Sequence, residues 1–168
     1  MSREEIVQFW GNENLRQWTV ESVGDLRIPA SSKTFLVEVG LPIEDSWTLQ
    51  FGPTDRVPKL GDDGRYRQIG VDDVVPICLD EEGGGQVIAN ETTLGGPERY
   101  VNASVEQFGE FLVHYERYRR AARTVAEEDI QEVIESTKAS MLSIDDTAFA
   151  SPENWWPVII EQMIAGML

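Results

Sequence analysis

RYRQIG (65–70), PICLD (76–80), QVIANET (86–92) and ERYVNAS (98–104) are four short segments rich in Val, Ile, Tyr and Thr, each separated from the next by turn residues. The segment that follows them, VEQFGEFLVHYERYRR (105–120), is longer, and its apolar residues recur every three or four positions. Short runs of β-branched and aromatic residues between turns favour strands. Apolar residues at helical spacing favour a helix. This stretch therefore predicts a strand meander that leads into a helix.

The helix after the meander has a defined start and one apolar face. Ser104 is followed three residues later by Gln107, which is the pattern of a capping box, so we expect the helix to begin there. The spacing i, i+3, i+4, i+7 places four apolar side chains in one stripe: Phe108, Phe111, Leu112 and Tyr115. We expect this stripe to pack on the sheet.

Two helices and a strand are predicted before the meander. Ser2 can cap a first helix, and Ser31 or Ser32 can cap a second one. Gly40 suits the left-handed end of that second helix. Apolar and polar residues alternate in WTLQF (47–51), which predicts a strand with one buried face.

The chain beyond residue 120 has helical patterns, and prolines mark expected boundaries. Residues 127–142 carry apolar side chains at helical spacing. Pro152 suits the first turn of a further helix. Pro157, after two tryptophans, is expected to interrupt it before an apolar helix at 158–168. Within the meander, Pro76 predicts either an edge strand or a strand that begins one residue later.

These patterns predict an α+β protein. We expect a mainly antiparallel sheet of about five or six strands with helices packed around it and a helical C-terminal region. The length of 168 residues suits one domain. Residues 1–120 would form its sheet-and-helix core, and residues 121–168 its C-terminal helices.

The charge of the chain is its strongest compositional signal. Thirty acidic residues against 14 basic ones give a formal net charge of −16. Such a surface repels phosphate backbones, which argues against a nucleic-acid partner. It attracts basic proteins and speeds their encounter. Solubility, or adaptation to a saline cytoplasm, would explain the same charge, so both interpretations remain open.

Several features favour a cytoplasmic protein that does not insert into a membrane. No apolar run approaches the roughly 20 residues that cross a bilayer. The first ten residues, MSREEIVQFW, lack the features of a secretion signal. The single cysteine, Cys78, cannot form an internal disulfide, and its apolar strand predicts a buried, inert thiol.

No catalytic constellation is apparent. His114 is the single histidine, and it lies beside the apolar stripe, so we predict a surface or boundary position. Gly83-Gly84-Gly85 is followed by a strand pattern, which predicts a hairpin turn and not a phosphate-binding loop. We therefore predict no catalytic residue, no metal site and no cofactor. An enzyme using carboxylates or a metal ion is the least favoured class.

Two further features leave a choice between structure and binding. Trp155 and Trp156 would serve either as a binding anchor or, as we favour, in core packing. The acidic turns would be either solvated loops or a set of loops on one rim of the sheet that faces a basic partner. Their residues are our candidate partner-binding set: Asp62, Asp63, Asp72, Asp73, Asp80, Glu81, Glu82 and Glu91.

The same segments resemble a known family. FLVEVGLP (35–42), the strands PICLD and QVIANE, the junction VNASVEQF (101–108) and the tail NWWPVIIEQMIAGML (154–168) are similar to the SUKH superfamily of bacterial immunity proteins. The resemblance is to its fourth subfamily, and it covers residues 35–168. Asp80 and Ser104 match the pattern, where a turn and a helix cap are the expected roles.

The resemblance implies an α+β domain that neutralises a cognate toxin of a polymorphic or contact-dependent system inside the producing cell. Such toxins are often nucleases or deaminases, and no catalytic residue is carried over. The superfamily also includes general protein-binding modules, so a regulatory or scaffold protein is the alternative. The oligomeric state is left open.

Overall fold

The predicted meander is present as an antiparallel sheet. The computed structural model describes residues 1–43, 48–61 and 64–167. In chain order the strands are β1 (Leu15–Arg16), β2 (Leu41–Pro42), β3 (Leu49–Phe51), β4 (Lys59–Leu60), β5 (Tyr66–Asp72), β6 (Val75–Asp80), β7 (Gln86–Asn90) and β8 (Glu98–Asn102). The α-helices are α1 (Arg3–Trp10), α2 (Val20–Gly24), α3 (Ala30–Glu38), α4 (Val105–Ala122), α5 (Ile130–Ile144) and α6 (Trp155–Ile164).

The main sheet has the order β3-β5-β6-β7-β8, with β4 beside β5, and every pair in it is antiparallel. Strands β1 and β2 form a separate two-stranded ribbon. This sheet, the surrounding helices and the helical C-terminal region confirm the predicted α+β fold class. Strand β4 was not predicted, because two residues between turns carry no recognisable period.

The register gives the sheet two distinct ends. At one end Asp72 pairs with Val75 across the β5–β6 turn, and Asn90 pairs with Glu98. We call this the Asp72 end. At the other end Asp80 pairs with Tyr66 on one side and with Gln86 on the other. We call this the Asp80 end, and it contains the β6–β7 loop.

One hydrophobic core contains residues from Ile6 in α1 to Met163 in α6. The predicted stripe of α4 lies in it, since Phe108, Phe111 and Leu112 are fully buried. The Trp156 ring contacts Phe111 at a centroid distance of 5.2 Å. The C-terminal helices therefore share the core of the sheet. Trp156 has no exposed surface, which confirms the core-packing interpretation for this residue.

The two predicted helix starts at Ser2 and Ser104 are confirmed, because each side-chain oxygen accepts a backbone N–H three residues later. Only half of the second capping box forms, since Oε1 of Gln107 accepts the Ser104 hydroxyl at 3.4 Å in place of the Ser104 backbone N–H. Its Nε2 donates to the carbonyl of Ile144 at 3.0 Å. The cap predicted at Ser31 or Ser32 is wrong, because α3 begins at Ala30 behind Pro29. The Ser32 hydroxyl instead donates to Glu106 at 2.9 Å.

The three boundary prolines behave differently from the prediction, and Pro152 lies in a turn before α6 and not in a helix. Pro76 lies in β6, an interior strand that begins at Val75, so both alternatives, an edge strand and a start one residue after Pro76, are wrong. Pairing with β7 begins only at Ile77, so Pro76 lacks a neighbour on that side. Pro157 does not interrupt a helix either. It lies in the first turn of α6, where a missing N–H breaks no helical hydrogen bond.

Two further findings concern the strand before the meander and the length of the helices. The strand expected at 47–51 is present as β3, although Trp47 lies outside the described residues. None of the described helices is both long enough and apolar enough to cross a bilayer.

Candidate partner-binding surface

The structure separates the predicted acidic set. Asp62 and Asp63 lie outside the described residues. The other six divide between the ends of the sheet, with Asp72, Asp73 and Glu91 at one end and Asp80, Glu81 and Glu82 at the other. The length of β6, about 17 Å at the usual rise per residue, lies between them. The interpretation that all these loops lie on one rim is therefore wrong.

Asp80 is held inside the protein by Arg65. The guanidinium Nε donates to Oδ1 at 2.9 Å and Nη2 donates to Oδ2 at 2.6 Å. The Asp80 carboxylate also accepts the backbone N–H of Glu82 at 3.0 Å. The hydrogen bond from Arg65 lowers the pKa of Asp80 below its usual value, although burial opposes this shift. These contacts give Asp80 the turn role that the resemblance implies.

Glu81 is held in the same way by two arginines. Its carboxylate accepts the backbone N–H of Arg27 at 2.7 Å, and its Oε2 lies 3.2 Å from Nε of Arg67. Burial raises the pKa of Glu81, but the backbone hydrogen bond from Arg27 and the adjacent Arg67 guanidinium outweigh burial and leave the pKa below its usual value. The carboxylates of Asp80 and Glu81 thus form ion pairs with arginines of the same chain, whereas Glu82 is exposed.

The Asp72 end presents its charges differently. Asp73 is exposed in the β5–β6 turn with a φ of 53°, and its N–H donates to the carbonyl of Thr48 at 3.0 Å. Glu91 forms an ion pair with Arg99 at 2.8 Å. The half-buried Asp72 carboxylate forms no ion pair with any described residue. Partner binding by the six described residues stays a prediction.

A cleft of about 250 Å³ opens at the Asp72 end between the sheet and α6. Asp72 and Leu49, which pair across β5 and β3, line one side. Four residues of α6 at i, i+3, i+4 and i+7 line the other: Trp155, Val158, Ile159 and Gln162. The sequence analysis missed this face because it placed a break at Pro157, between the two tryptophans and the helix expected at 158–168. The spacing from Trp155 to Gln162 was the signal that could have revealed it.

Exposed apolar side chains lie at the same end of the sheet as the cleft. Val74, in the turn after Asp72, is 61% exposed, and Leu94, three residues after Glu91, is 57% exposed. Apolar patches with a polar rim are typical of protein-binding surfaces, whereas single exposed apolar residues are ordinary. The Asp72 end thus combines apolar residues, acidic residues and a cleft.

The other residues singled out in the sequence have structural positions. His114 is half-buried on α4, as the predicted boundary position requires, and burial lowers its pKa, with Arg117 contributing. Cys78 is fully buried, and burial raises the pKa of its thiol to about 12, as expected for an inert thiol. Gly83-Gly84-Gly85 lies in the β6–β7 hairpin as predicted. Within the described ranges, no three His, Cys, Asp or Glu side chains are grouped to hold a metal ion.

Comparison with known proteins identifies the family. A family model described as SUKH-4 immunity protein matches residues 1–162. Comparisons with curated proteins and with solved structures gave no significant match. The family match includes the first 34 residues, which the resemblance noted in the sequence left out. With nearly its whole length matched, the chain belongs to the SUKH-4 immunity protein family.

Proposed function

We propose that this protein binds a basic toxin domain and neutralises it by covering its active site. Family membership supports an immunity function, and it is the observation that carries the proposal. The formal net charge of −16 supports a basic partner. A nuclease fits best, because an enzyme that acts on polyanionic nucleic acid needs a positively charged site.

The proposed mechanism is steric and uses no chemical step of the immunity protein. Long-range attraction between opposite charges raises the rate of encounter, and it weakens as salt screens the charges. A few desolvated contacts then determine the rate of dissociation. We place this binding in the cytoplasm of the producing cell, with the toxin belonging to a polymorphic toxin system.

The test begins with capture of the partner. The tagged protein is purified from its native host, and co-purifying proteins are identified by mass spectrometry. We expect a toxin domain encoded beside the immunity gene, and we expect co-expression of the two to rescue cell growth. Failure of this neighbouring domain to bind, or growth inhibition despite tight binding, would contradict the proposal. A partner that is no toxin would favour the regulatory or scaffold alternative.

Two measurements then test the mechanism. The association rate should fall steeply as salt is raised, whereas an uncharged interface would show little change. Toxin released from the complex should have its original mass and full activity. A modified or cleaved toxin would show that the protein acts as an enzyme.

Charge-reversal variants at the Asp80 end differ in what they can show about binding. Changing Asp80 or Glu81 to lysine would break ion pairs that the fold uses, so lost binding would not identify a contact. Glu82→Lys reverses an exposed charge in the same loop and is the informative variant. An unchanged association rate for Glu82→Lys would remove this loop from the interface.

A further inference from the structure

We infer that the cleft at the Asp72 end receives one arginine or lysine side chain of the toxin domain, with Val74 and Leu94 packing on the toxin surface beside it. This inference rests on the proposed function and specifies which face of the protein binds. Three observations support it: the size of the cleft, the chemistry of its walls, and Asp72, a cleft carboxylate that has no ion pair with any described residue.

The size of the cleft suits a side chain. Its volume is about 250 Å³, below the roughly 300–1,000 Å³ usual for pockets that hold drug-sized ligands. It is open between β3, β5 and α6, so a side chain projecting from another protein can enter it.

The walls suit a long cationic side chain. Leu49, Val158 and Ile159 supply apolar surface, against which the methylene groups of lysine or arginine can pack. Asp72 supplies a carboxylate at the edge of this apolar surface. A lysine or arginine side chain that reached Asp72 would therefore bury its methylene groups against apolar surface. Its charged group would pair with the Asp72 carboxylate.

Asp72, and not Glu91, is the acceptor. The Glu91 carboxylate is already paired with Nε of Arg99, whose Nη1 donates to the carbonyl of Glu153 at 3.0 Å. Arg99 is thereby held by two oxygen partners. With Glu91 and Arg99 compensating each other, Asp72 carries the unbalanced charge among the described residues that line the cleft.

The apolar neighbours extend the surface. Val74 and Leu94 come from two adjacent connections at the same end of the sheet, and both are more than half exposed. Interfaces combine a desolvated anchor with surrounding apolar contacts that exclude water. A cation inserted in the cleft, with Val74 and Leu94 contacting the toxin surface at the same end of the sheet, would have this arrangement.

Binding of captured toxin to three variants tests the inference. Asp72→Asn removes the charge with little change in shape, and Val158→Trp fills the cleft. Asp55→Asn is the matched control, since Asp55 is an exposed aspartate outside the cleft lining. We expect Asp72→Asn to weaken binding at least about tenfold, mainly through faster dissociation, because a desolvated charge pair is lost. Val158→Trp should weaken it similarly, and Asp55→Asn should leave it within about twofold.

Wild-type affinity for both Asp72→Asn and Val158→Trp would overturn the inference while leaving the proposed function intact. Thermal unfolding of each variant checks that it is folded, and if Val158→Trp is not, the affinity of Asp72→Asn alone tests the inference.

If the wild-type protein binds no toxin, the proposed function fails, and binding of a small arginine derivative tests the cleft separately. N-acetylarginine methylamide should then shift the NMR signals of Thr48 and the Trp155 indole in the wild type but not in Asp72→Asn. Equal shifts, or none, would overturn the inference.

Discussion

The indole Nε1 of Trp156 donates a 2.9 Å hydrogen bond to Oδ1 of Asn102, and neither residue has exposed surface. The amide of Asn102 in turn donates to Asp145 at 3.0 Å, and the backbone N–H of Ala103 donates to the same carboxylate oxygen at 2.9 Å. One buried network thus joins the end of β8, the segment after α5 and the first turn of α6. It gives a physical reason for Asn102 in VNAS and Trp156 in NWWP, two segments that carry the family resemblance.

The first prediction concerns this network. Trp156→Phe keeps an aromatic ring but leaves Oδ1 of Asn102 buried without a donor. We expect the free energy of unfolding to fall by about 1–3 kcal/mol from the lost hydrogen bond, plus the effect of the smaller ring. Urea unfolding followed by circular dichroism measures this change.

The neighbouring residue supplies the control for that experiment. Trp155 is also buried and makes edge contact with Trp156, but its indole forms no hydrogen bond with any described residue. Trp155→Phe should therefore lower the free energy of unfolding by less than Trp156→Phe does. Equal losses for the two variants would show that the Asn102 hydrogen bond contributes nothing measurable.

The second prediction concerns the contact between α3 and α4. A Cβ at Gly109, in the interior of α4, would lie 2.6 Å from Cζ of the buried Phe35. Alanine is normally the better helix former by about 1 kcal/mol. Because Phe35 is buried in the core, a shift of its ring would disturb its neighbours, and we expect Gly109→Ala to destabilise the protein by about 1–3 kcal/mol.

Gly24 is the matched control for Gly109. It ends α2, and a Cβ there would meet nothing within 4 Å. Gly24→Ala should be neutral or stabilise the protein by up to about 1 kcal/mol. Stabilisation by Gly109→Ala in the same thermal-unfolding assay would show that the two helices do not approach this closely.

The third prediction is a pH dependence. Arg65 holds the pKa of Asp80 below its usual value in the folded protein. A lowered folded pKa contributes stability above the unfolded pKa, about 4, and this contribution is lost as pH falls through the folded pKa. Asp80→Asn should therefore destabilise the protein by about 1.5–3 kcal/mol at neutral pH, with a difference from wild type that shrinks below pH 4.

Glu82→Gln is the control for this pH experiment. Its carboxylate lies 3.9 Å from Nε of the same arginine, but its side chain is 64% exposed. We expect its free energy of unfolding to stay within about 0.5 kcal/mol of the wild-type value at every pH, as is usual when an exposed ion pair is removed. A constant difference between wild type and Asp80→Asn from pH 7 to pH 3 would rule out the proposed linkage.

The fourth prediction tests whether residues 1–168 form one domain. Trp156 in α6 packs against Phe108 and Phe111 in α4, so the C-terminal helices cannot separate without opening the core. We expect tryptophan fluorescence and far-ultraviolet circular dichroism to report one coincident urea transition. Two transitions would indicate that residues 121–168 unfold independently.

The fifth prediction concerns Cys78. Its thiol is fully buried, and burial raises its pKa to about 12. We expect an aromatic disulfide reagent at pH 8 to modify it only as fast as the protein opens, and rapidly in denaturant. Rapid labelling of the folded protein would contradict the burial of this strand.

Much of the fold was predictable because its signals are local. The caps at Ser2 and Ser104 and the stripe from Phe108 to Tyr115 depend on residues three or four positions apart, which a helix brings together whatever surrounds it. The alternation in the meander depends likewise on neighbours in the chain. Strand existence, helix α4 and the α+β class therefore followed from the sequence.

The candidate site was harder to predict because its residues are distant in the chain. Asp72 meets Val158 only after β5 and α6 pack, and the same packing decides that Pro157 belongs to the first turn of a helix. Asp80 and Asp72 both occur in acidic turns, yet one is paired with Arg65 and the other has no ion pair with any described residue. No local pattern distinguishes them.

The sequence by itself determined the acidic charge, the alternation of strands and turns, the amphipathic helix and the family. Only the tertiary structure decided which acidic residues are neutralised, which face of α6 is accessible and which turns share an end of the sheet. The physical reason is that periodicity and capping act between residues close in the chain, whereas ion pairing and burial depend on distances that strand order and helix packing set.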